Sequence, residues 1–320
     1  MPMLRRFLLF GLLGATLTHA QVAPRGYYRF PTLHGDTLVF TAEGDLWRVG
    51  TQGGVAQRLT SHPGHEQYAA LSPDGSTVAF TAEYEGPSEV YTMPVAGGLP
   101  TRQTFDGTEP RVSGWSPDGR ILFRTTRYST LPSSQLVRLD PRTGTHERVP
   151  LAQASEGVFE PEGRTLYFTR LPKQGSSTKR YEGGWIENLW RYTAGEPEAV
   201  ALATDFKGTS RNPMWWQGRV FFVSDRDGIM NLWSMAPDGT DLKPVTHHTG
   251  FDVQTASLQG GRIVYARAGD LHLHDLTTGA DTVLNVTLSS DLDQQRERWV
   301  KRPLDFLTSA RLSPTGDRLA

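Results

Sequence analysis

The sequence predicts an all-β protein, a six-bladed β-propeller made of four-stranded antiparallel blades. A turn glycine followed by a three-residue apolar segment occurs six times, and a further apolar strand follows each of them. The glycines lie 40 to 44 residues apart, except for one interval of 55, and such a period is typical of a propeller blade. They are Gly35, Gly75, Gly119, Gly163, Gly218 and Gly261, and the apolar segments end at Phe40, Phe80, Phe123, Phe168, Phe222 and Tyr265.

The fifth unit shows the pattern most clearly. Its apolar run Val220–Val223 leads into a turn, Asp225–Gly228, and then into the alternating strand Asn231–Met235. A Pro-Asp-Gly turn follows, and Leu242–Thr246 begins another strand. Short polar residues and glycine between β-branched and aromatic runs indicate a hairpin meander. One such sheet cannot bury both faces, so the units must pack side by side around an axis.

The connections separate into two faces. First-to-second strand connections are tight turns such as Pro73-Asp74-Gly75, whereas the long loops join second to third strands or one blade to the next. Both kinds of long loop emerge on the same face of the propeller, and the longest loop runs from Thr169 to Asn188. Because binding residues usually lie on loops held by a rigid scaffold, the funnel on this face is the candidate functional surface.

The two ends of the chain do not follow the repeat. Arg5 and Arg6 precede the apolar run Phe7–Thr16, and small residues lead up to Ala20. This predicts a signal peptide over residues 1–20 and an exported protein, periplasmic or secreted. The propeller then covers residues 21–284 and a charged connector covers 285–305. Residues 306–320 restart the repeat, which predicts the truncated start of a second propeller.

Composition excludes some classes of function. The net charge is −1, so no basic excess points to nucleic acid. The chain has no cysteine, which excludes disulfides and thiolate chemistry.

No stretch carries a convincing catalytic or cofactor motif. Gly208–Asn212 lacks the second glycine of a nucleophile elbow, and Gly175–Ser177 has no histidine nearby in sequence. The Asp225–Gly228 turn lacks the glutamate of a calcium loop, since the twelfth position is Ala236. We therefore predict no catalytic residue and no cofactor within these residues.

The histidines allow a zinc hypothesis. His272 and His274 alternate in one strand, and His247 and His248 lie one connection earlier, with Asp270 and Asp275 close in sequence. These residues could assemble a zinc site if their strands adjoin. A partly exposed outer strand explains the same pattern, and we favour that interpretation, so no metal is predicted.

Two arginines are the candidate substrate-binding residues. Arg124 and Arg127 bracket Thr125-Thr126 at the start of a long loop on the elaborated face. The forked donors of arginine match a carboxylate, so the pair could anchor the free carboxyl end of a peptide. Ion pairs with Glu83 or Glu85 of the adjacent blade are the simpler interpretation, which we favour.

The repeats resemble known propellers. Ser-Pro-Asp-Gly before an apolar strand, and the fifth unit as a whole, are similar to the TolB-like and prolyl-oligopeptidase-related propellers. Two stretches, Asn212–Trp215 and Thr178–Gly184 before Asn188, narrow the resemblance to the first propeller of tricorn-type serine proteases.

The resemblance implies a function for the longer protein. Members of that family have a second propeller and then a serine-nucleophile protease region related to the C-terminal processing peptidases. It implies oligopeptide substrates, contacts with those downstream domains and a homo-oligomer. Much of the family is cytoplasmic, which leaves a cytoplasmic location as the alternative to export. A non-enzymatic, periplasmic TolB-like binding propeller is the alternative function.

Overall fold

The computed structural model describes residues 26–131, 133–173, 181–291, 302, 304 and 309–319. The predicted signal peptide lies outside the described residues, as does part of the long loop between Thr169 and Asn188. None of the described residues forms a helix of the length and hydrophobicity that a membrane span requires.

The described strands form six antiparallel sheets, each from four consecutive strands, which confirms the predicted fold class. Blades 1 to 3 contain β1 Arg29–His34, β2 Thr37–Ala42, β3 Asp45–Gly50, β4 Gly53–Arg58, β5 Glu66–Leu71, β6 Thr77–Ala82, β7 Glu89–Pro94, β8 Thr101–Arg102, β9 Arg111–Trp115, β10 Ile121–Thr125, β11 Gln135–Leu139 and β12 His146–Arg148. Blades 4 to 6 contain β13 Gly157–Phe159, β14 Thr165–Thr169, β15 Leu189–Thr193, β16 Val200–Ala201, β17 Ser210–Trp216, β18 Arg219–Ser224, β19 Asn231–Met235, β20 Lys243–Pro244, β21 Val253–Gln259, β22 Arg262–Arg267, β23 Asp270–Asp275 and β24 Asp281–Val283. A further strand, β25 Val286–Leu288, follows blade 6.

The six repeated glycines have a common conformational role. Each takes a left-handed backbone conformation, with φ between 53° and 79°, in the turn before the second strand of its blade. Residues other than glycine are strained in this conformation, so the repeated glycines mark the positions of the turns.

The core lies between neighbouring blades. The second strand of every blade places a fully buried ring at the end of the apolar segment found in the sequence. These rings belong to Phe40, Phe80, Phe123, Phe168, Phe222 and Tyr265. Full burial of a phenylalanine side chain contributes roughly 1.5–3 kcal/mol of hydrophobic free energy. Trp47, at the position shared with Trp190 and Trp233, is also fully buried, whereas the other two are partly buried.

Blades 1 and 6 close the ring through side-chain packing and a strand at the outer edge. Leu38 and Phe40 share a buried cluster with Val264 and Leu271. The segment assigned to the connector contains β25, which pairs in parallel with β4. Tyr28 supports this contact, because its hydroxyl donates a hydrogen bond to the Val286 carbonyl at 2.9 Å. The far end of the propeller is thereby tied to blade 1.

Candidate functional site

The innermost strands of the six blades line a channel along the axis of the propeller. Most of these strands are bent. Pairing shifts by a bulge in β1, β5, β9, β17 and β21. Phe30, Tyr68 and Asn212 lie at three of these bulges with φ of 50°, 55° and 56°. Such a conformation costs a non-glycine residue on the order of 1–2 kcal/mol. The bulges reset the alternation of side chains, and bulges of this kind often re-aim a side chain beside a functional site.

The channel is a cavity of about 350 Å³ that all six blades line. Its wall includes Thr32, Tyr68, Ser113, Glu156, Asn212 and Thr255, one from each blade. A second cavity of about 310 Å³ lies between blades 6 and 1, and Phe30 and Lys173 line both cavities.

Hydrogen bonds between neighbouring blades fix this wall. The Gly157 amide donates to Ser113 Oγ at 2.9 Å, and the Asn212 amide donates to Glu156 Oε2 at 2.9 Å. The Asn212 side chain then pairs with both backbone groups of Ala256, at 3.0 and 2.8 Å. These bonds run from blade 3 to blade 6, so the wall on that side is held in one arrangement.

Lys173 brings a positive charge into the channel from the long loop of blade 4. Its Nζ donates to the Gln254 carbonyl of blade 6 at 3.3 Å, although blade 5 lies between these blades in the ring. The residue is exposed to solvent, yet the surrounding walls remove part of the hydration of its ammonium group. That loss, together with nearby Arg211, lowers the Lys173 pKa to about 8, while Glu156 and Glu187 act in the opposite direction.

Arg124 lies opposite Arg111 in the β9–β10 pair, and Arg111 directly precedes the channel-lining residue Val112. It is partly buried at the end of β10, and Nη1 donates to Ser155 Oγ at 3.3 Å. Burial, and then the charge of Arg111, lower the Arg124 pKa. The Arg111 guanidinium itself donates to the Tyr68 hydroxyl at 3.1 Å. Among the described residues, Arg124 forms no ion pair.

Arg127 is placed differently. Its Nη1 lies 2.5 Å from Oδ1 of Asp106, whose side chain is fully buried. The acidic partners expected from the sequence are engaged elsewhere, since Glu83 accepts a hydrogen bond from Ser88 and Glu85 pairs with Arg102. The two candidate arginines therefore have separate environments, and Arg124 is the one near the channel.

The sequence analysis did not identify Lys173, Arg111 or Arg211. One signal could have found the arginines, because Arg29, Arg111 and Arg211 are the first or second residue of the innermost strand in alternate blades. Lys173 lies in an insertion outside the repeat, so no pattern marks it.

Two other candidate motifs have clear structural roles. The Asp225 carbonyl accepts a hydrogen bond from the Gly228 amide at 2.8 Å, which confirms the predicted turn. His272 and His274 are buried, with 6% and 5% of their surface exposed, whereas Asp270, Leu273 and Asp275 leave β23 partly exposed, as expected. The loop that carries His248 packs against His272, since the two rings lie 5.6 Å apart.

Comparison with known proteins assigns the family. Residues 25–280 match the family described as the tricorn protease N-terminal beta propeller domain. The chain belongs to this family. Tricorn protease homolog 1 of Streptomyces coelicolor is 34% identical over 266 residues, which cover 82% of this chain and 25% of that protein. A putative Tricorn-like protease N-terminal subunit of Sulfurisphaera tokodaii is 29% identical over 166 residues, or 50% of this chain and 83% of that subunit.

The fold of this tricorn propeller agrees with a solved structure. The crystal structure of the tricorn protease superimposes with a TM-score of 0.75 at 21% identity, covering 82% of this chain and 26% of that chain. The chain thus spans about a quarter of the length of these full-length relatives. It is a protease-associated propeller by family.

Proposed function

We propose that this tricorn propeller is the N-terminal part of a serine-type peptidase that degrades oligopeptides. Its axial channel admits the peptide and orients it for a serine site in the downstream part of the protein. The proposal rests on Lys173, which lines the channel, and on Arg111 and Arg124, which lie opposite each other next to the lining residue Val112. The names of the relatives support the link to a protease.

The electrostatics of Arg124 favour an anionic ligand. Partial burial and the guanidinium of Arg111 both disfavour the charged form of Arg124. The hydrogen-bond partner of Arg124 is the neutral Ser155 hydroxyl. A carboxylate would offset both effects and would accept two parallel hydrogen bonds from the guanidinium. Every unmodified oligopeptide ends in one carboxylate, so Arg124 can fix how far the peptide extends toward a serine.

The adjoining cavity suits the rest of a peptide. Phe251 and Tyr27 line it with 65% and 67% of their surface exposed, and exposed apolar side chains beside a channel often mark a binding surface. Lys173 lies where the two cavities meet. A peptide with its terminal carboxylate near Arg124 and its apolar side chains in this cavity would use both features.

Steady-state cleavage by the full-length protein tests the proposal. Each of two peptides is prepared as the free acid and as the C-terminal amide. We expect Arg124→Ala to lower kcat/KM for the free acid about 10- to 100-fold, the value of one charged hydrogen-bonded contact. The amide should be cleaved at the rate of the unmodified enzyme. Arg127→Ala should have a smaller effect, because Arg127 is paired with Asp106.

Arg142→Ala is the matched control, since Arg142 lies in an exposed turn of the same blade, with 84% of its side chain exposed. The control should cleave both peptides normally. Equal loss for acid and amide in Arg124→Ala would contradict the anchoring role. The 320-residue chain alone should hydrolyse neither peptide, and activity there would contradict the downstream location of the serine site. A full-length protein that binds peptides without cleaving them would favour the TolB-like alternative.

A further inference from the structure

Three potential metal ligands meet on the outer half of blade 6. His248 lies in the connection between β20 and β21, His272 lies in β23, and Asp281 begins β24. In β23, His272 pairs with Val283 and His274 pairs with Asp281, so Asp281 is diagonal to His272. The His248 amide donates to Asn231 Oδ1 at 2.9 Å, which holds the loop over this face.

The distances suit a small tetrahedral ion. His248 Nε2 lies 3.2 Å from Asp281 Oδ2, and His272 Nδ1 lies 3.7 Å from Asp281 Oδ1. One ligand atom from each residue can be chosen so that all lie within 4.8 Å of one another. Zinc bonds of about 2.0–2.1 Å in a tetrahedron place neighbouring ligand atoms roughly 3.4 Å apart. His248 Nε2 also lies 2.6 Å from the Tyr265 hydroxyl, so zinc binding would exchange this hydrogen bond for the ion and rotate the side chains.

The surroundings orient these groups as the shell around a metal site does. The Tyr265 hydroxyl donates to Asp281 Oδ2 at 2.5 Å, and its ring stacks on His272 at 4.9 Å. Carboxylate ligands of zinc are commonly held by such hydrogen bonds. The three side chains keep between 8% and 24% of their surface exposed, which leaves room for a water molecule as a fourth ligand.

We propose that His248, His272 and Asp281 bind one Zn²⁺ ion, with water in the fourth position. Two imidazoles and one carboxylate are a zinc ligand set. The ion joins the connection after blade 5 to the outermost strand of blade 6. It stabilises the outer part of that junction, independently of the peptide channel.

Zinc titration of the chelator-stripped 320-residue chain tests the proposal, with affinity and stoichiometry measured by calorimetry. We expect one ion per chain. His248→Ala, His272→Ala and Asp281→Asn should each weaken zinc binding about 100-fold or more. Losing a ligand lowers the affinity at least as much as losing a hydrogen bond that supports a ligand. Tyr265→Phe removes only the supporting hydroxyl, so it should weaken binding about 10-fold.

His247→Ala is the matched control, because His247 is the exposed neighbour of His248 and lies outside the cluster. The zinc affinity of the His247→Ala variant should equal that of the unmodified chain. Visible absorption of Co²⁺ bound to the unmodified chain gives a second readout that needs no variant, and we expect the bands of a four- or five-coordinate ion. Absence of these bands at millimolar Co²⁺, or zinc affinity unchanged in Asp281→Asn, would overturn the proposal. A loss of zinc affinity in His247→Ala as large as that in His248→Ala would overturn the assignment of ligands.

Discussion

Glu66 is a fully buried carboxyl group between blades 1 and 2, and replacing it with glutamine should remove a large pH dependence of stability. Burial, followed by the charge of Asp45, raises the pKa of Glu66 from 4.5 to about 9. Asp45 is itself paired with Arg58, whose Nε donates to Asp45 Oδ2 at 2.7 Å. Among the described residues, neither Glu66 oxygen has a hydrogen bond of normal geometry, although the Tyr84 hydroxyl is close enough to affect the pKa.

The magnitude follows from proton linkage. The unfolded chain releases the Glu66 proton near pH 4.5, whereas the folded chain keeps it until about pH 9. Between these values the native state binds one more proton, so stability falls by about 1.4 kcal/mol for each unit of rising pH. The loss reaches roughly 3 kcal/mol at pH 7. Below pH 4.5 both states are protonated, and this contribution to stability is fully present.

Urea unfolding of the 320-residue chain at acidic, neutral and basic pH measures the effect. A glutamine has the shape of the neutral carboxylic acid and does not titrate. We expect Glu66→Gln to match the unmodified chain near pH 4.5 and to exceed its stability by about 3 kcal/mol at pH 7. Glu83→Gln, at an exposed position in the following loop, is the control and should change the stability by no more than about 0.5 kcal/mol at pH 7. A pH-independent difference for Glu66→Gln would refute the reasoning.

Three further predictions concern the core, the closure of the ring and the N-terminus. Phe222→Ala should lower the free energy of unfolding by about 3–5 kcal/mol, because it leaves a cavity in the blade 4–5 cluster; a loss below about 1 kcal/mol in urea would contradict that packing. Tyr28→Phe should cost about 1 kcal/mol and speed amide hydrogen exchange in β25, since the bond to the Val286 carbonyl is lost; unchanged exchange would show that the strand needs no such support. We propose that the signal peptide is cleaved after Ala20, so N-terminal sequencing of protein from the native host should begin at Gln21; protein with an intact N-terminus would contradict export.

The repeat was predictable because two local requirements coincide in every blade. The turn before each second strand needs a residue with positive φ, and the strand that follows needs a large buried side chain. Gly163 and Phe168 fill these roles in blade 4 as Gly218 and Phe222 do in blade 5. These requirements recur at a fixed period, so blade number and strand order could be read from the sequence.

The channel and the outer edges were less predictable. Bulges at Phe30 and Asn212 reset the alternation of the innermost strands, so period-two reasoning loses track of which side chains face the channel. Lys173 reaches the channel from an insertion that no repeat constrains. Asp281 is opposite His274 only because of the β23–β24 register, which the sequence does not specify. β25 pairs with blade 1 across the whole length of the propeller, and no local pattern indicates so distant a partner.

A structure of the full-length protein with an uncleavable free-acid oligopeptide would test most directly whether the channel binds the carboxyl end of a peptide. We expect the terminal carboxylate within about 4 Å of the Arg124 guanidinium, and the adjoining chain in the cavity between blades 6 and 1. A peptide bound with its carboxylate in solvent, and with the channel free of peptide, would contradict this role.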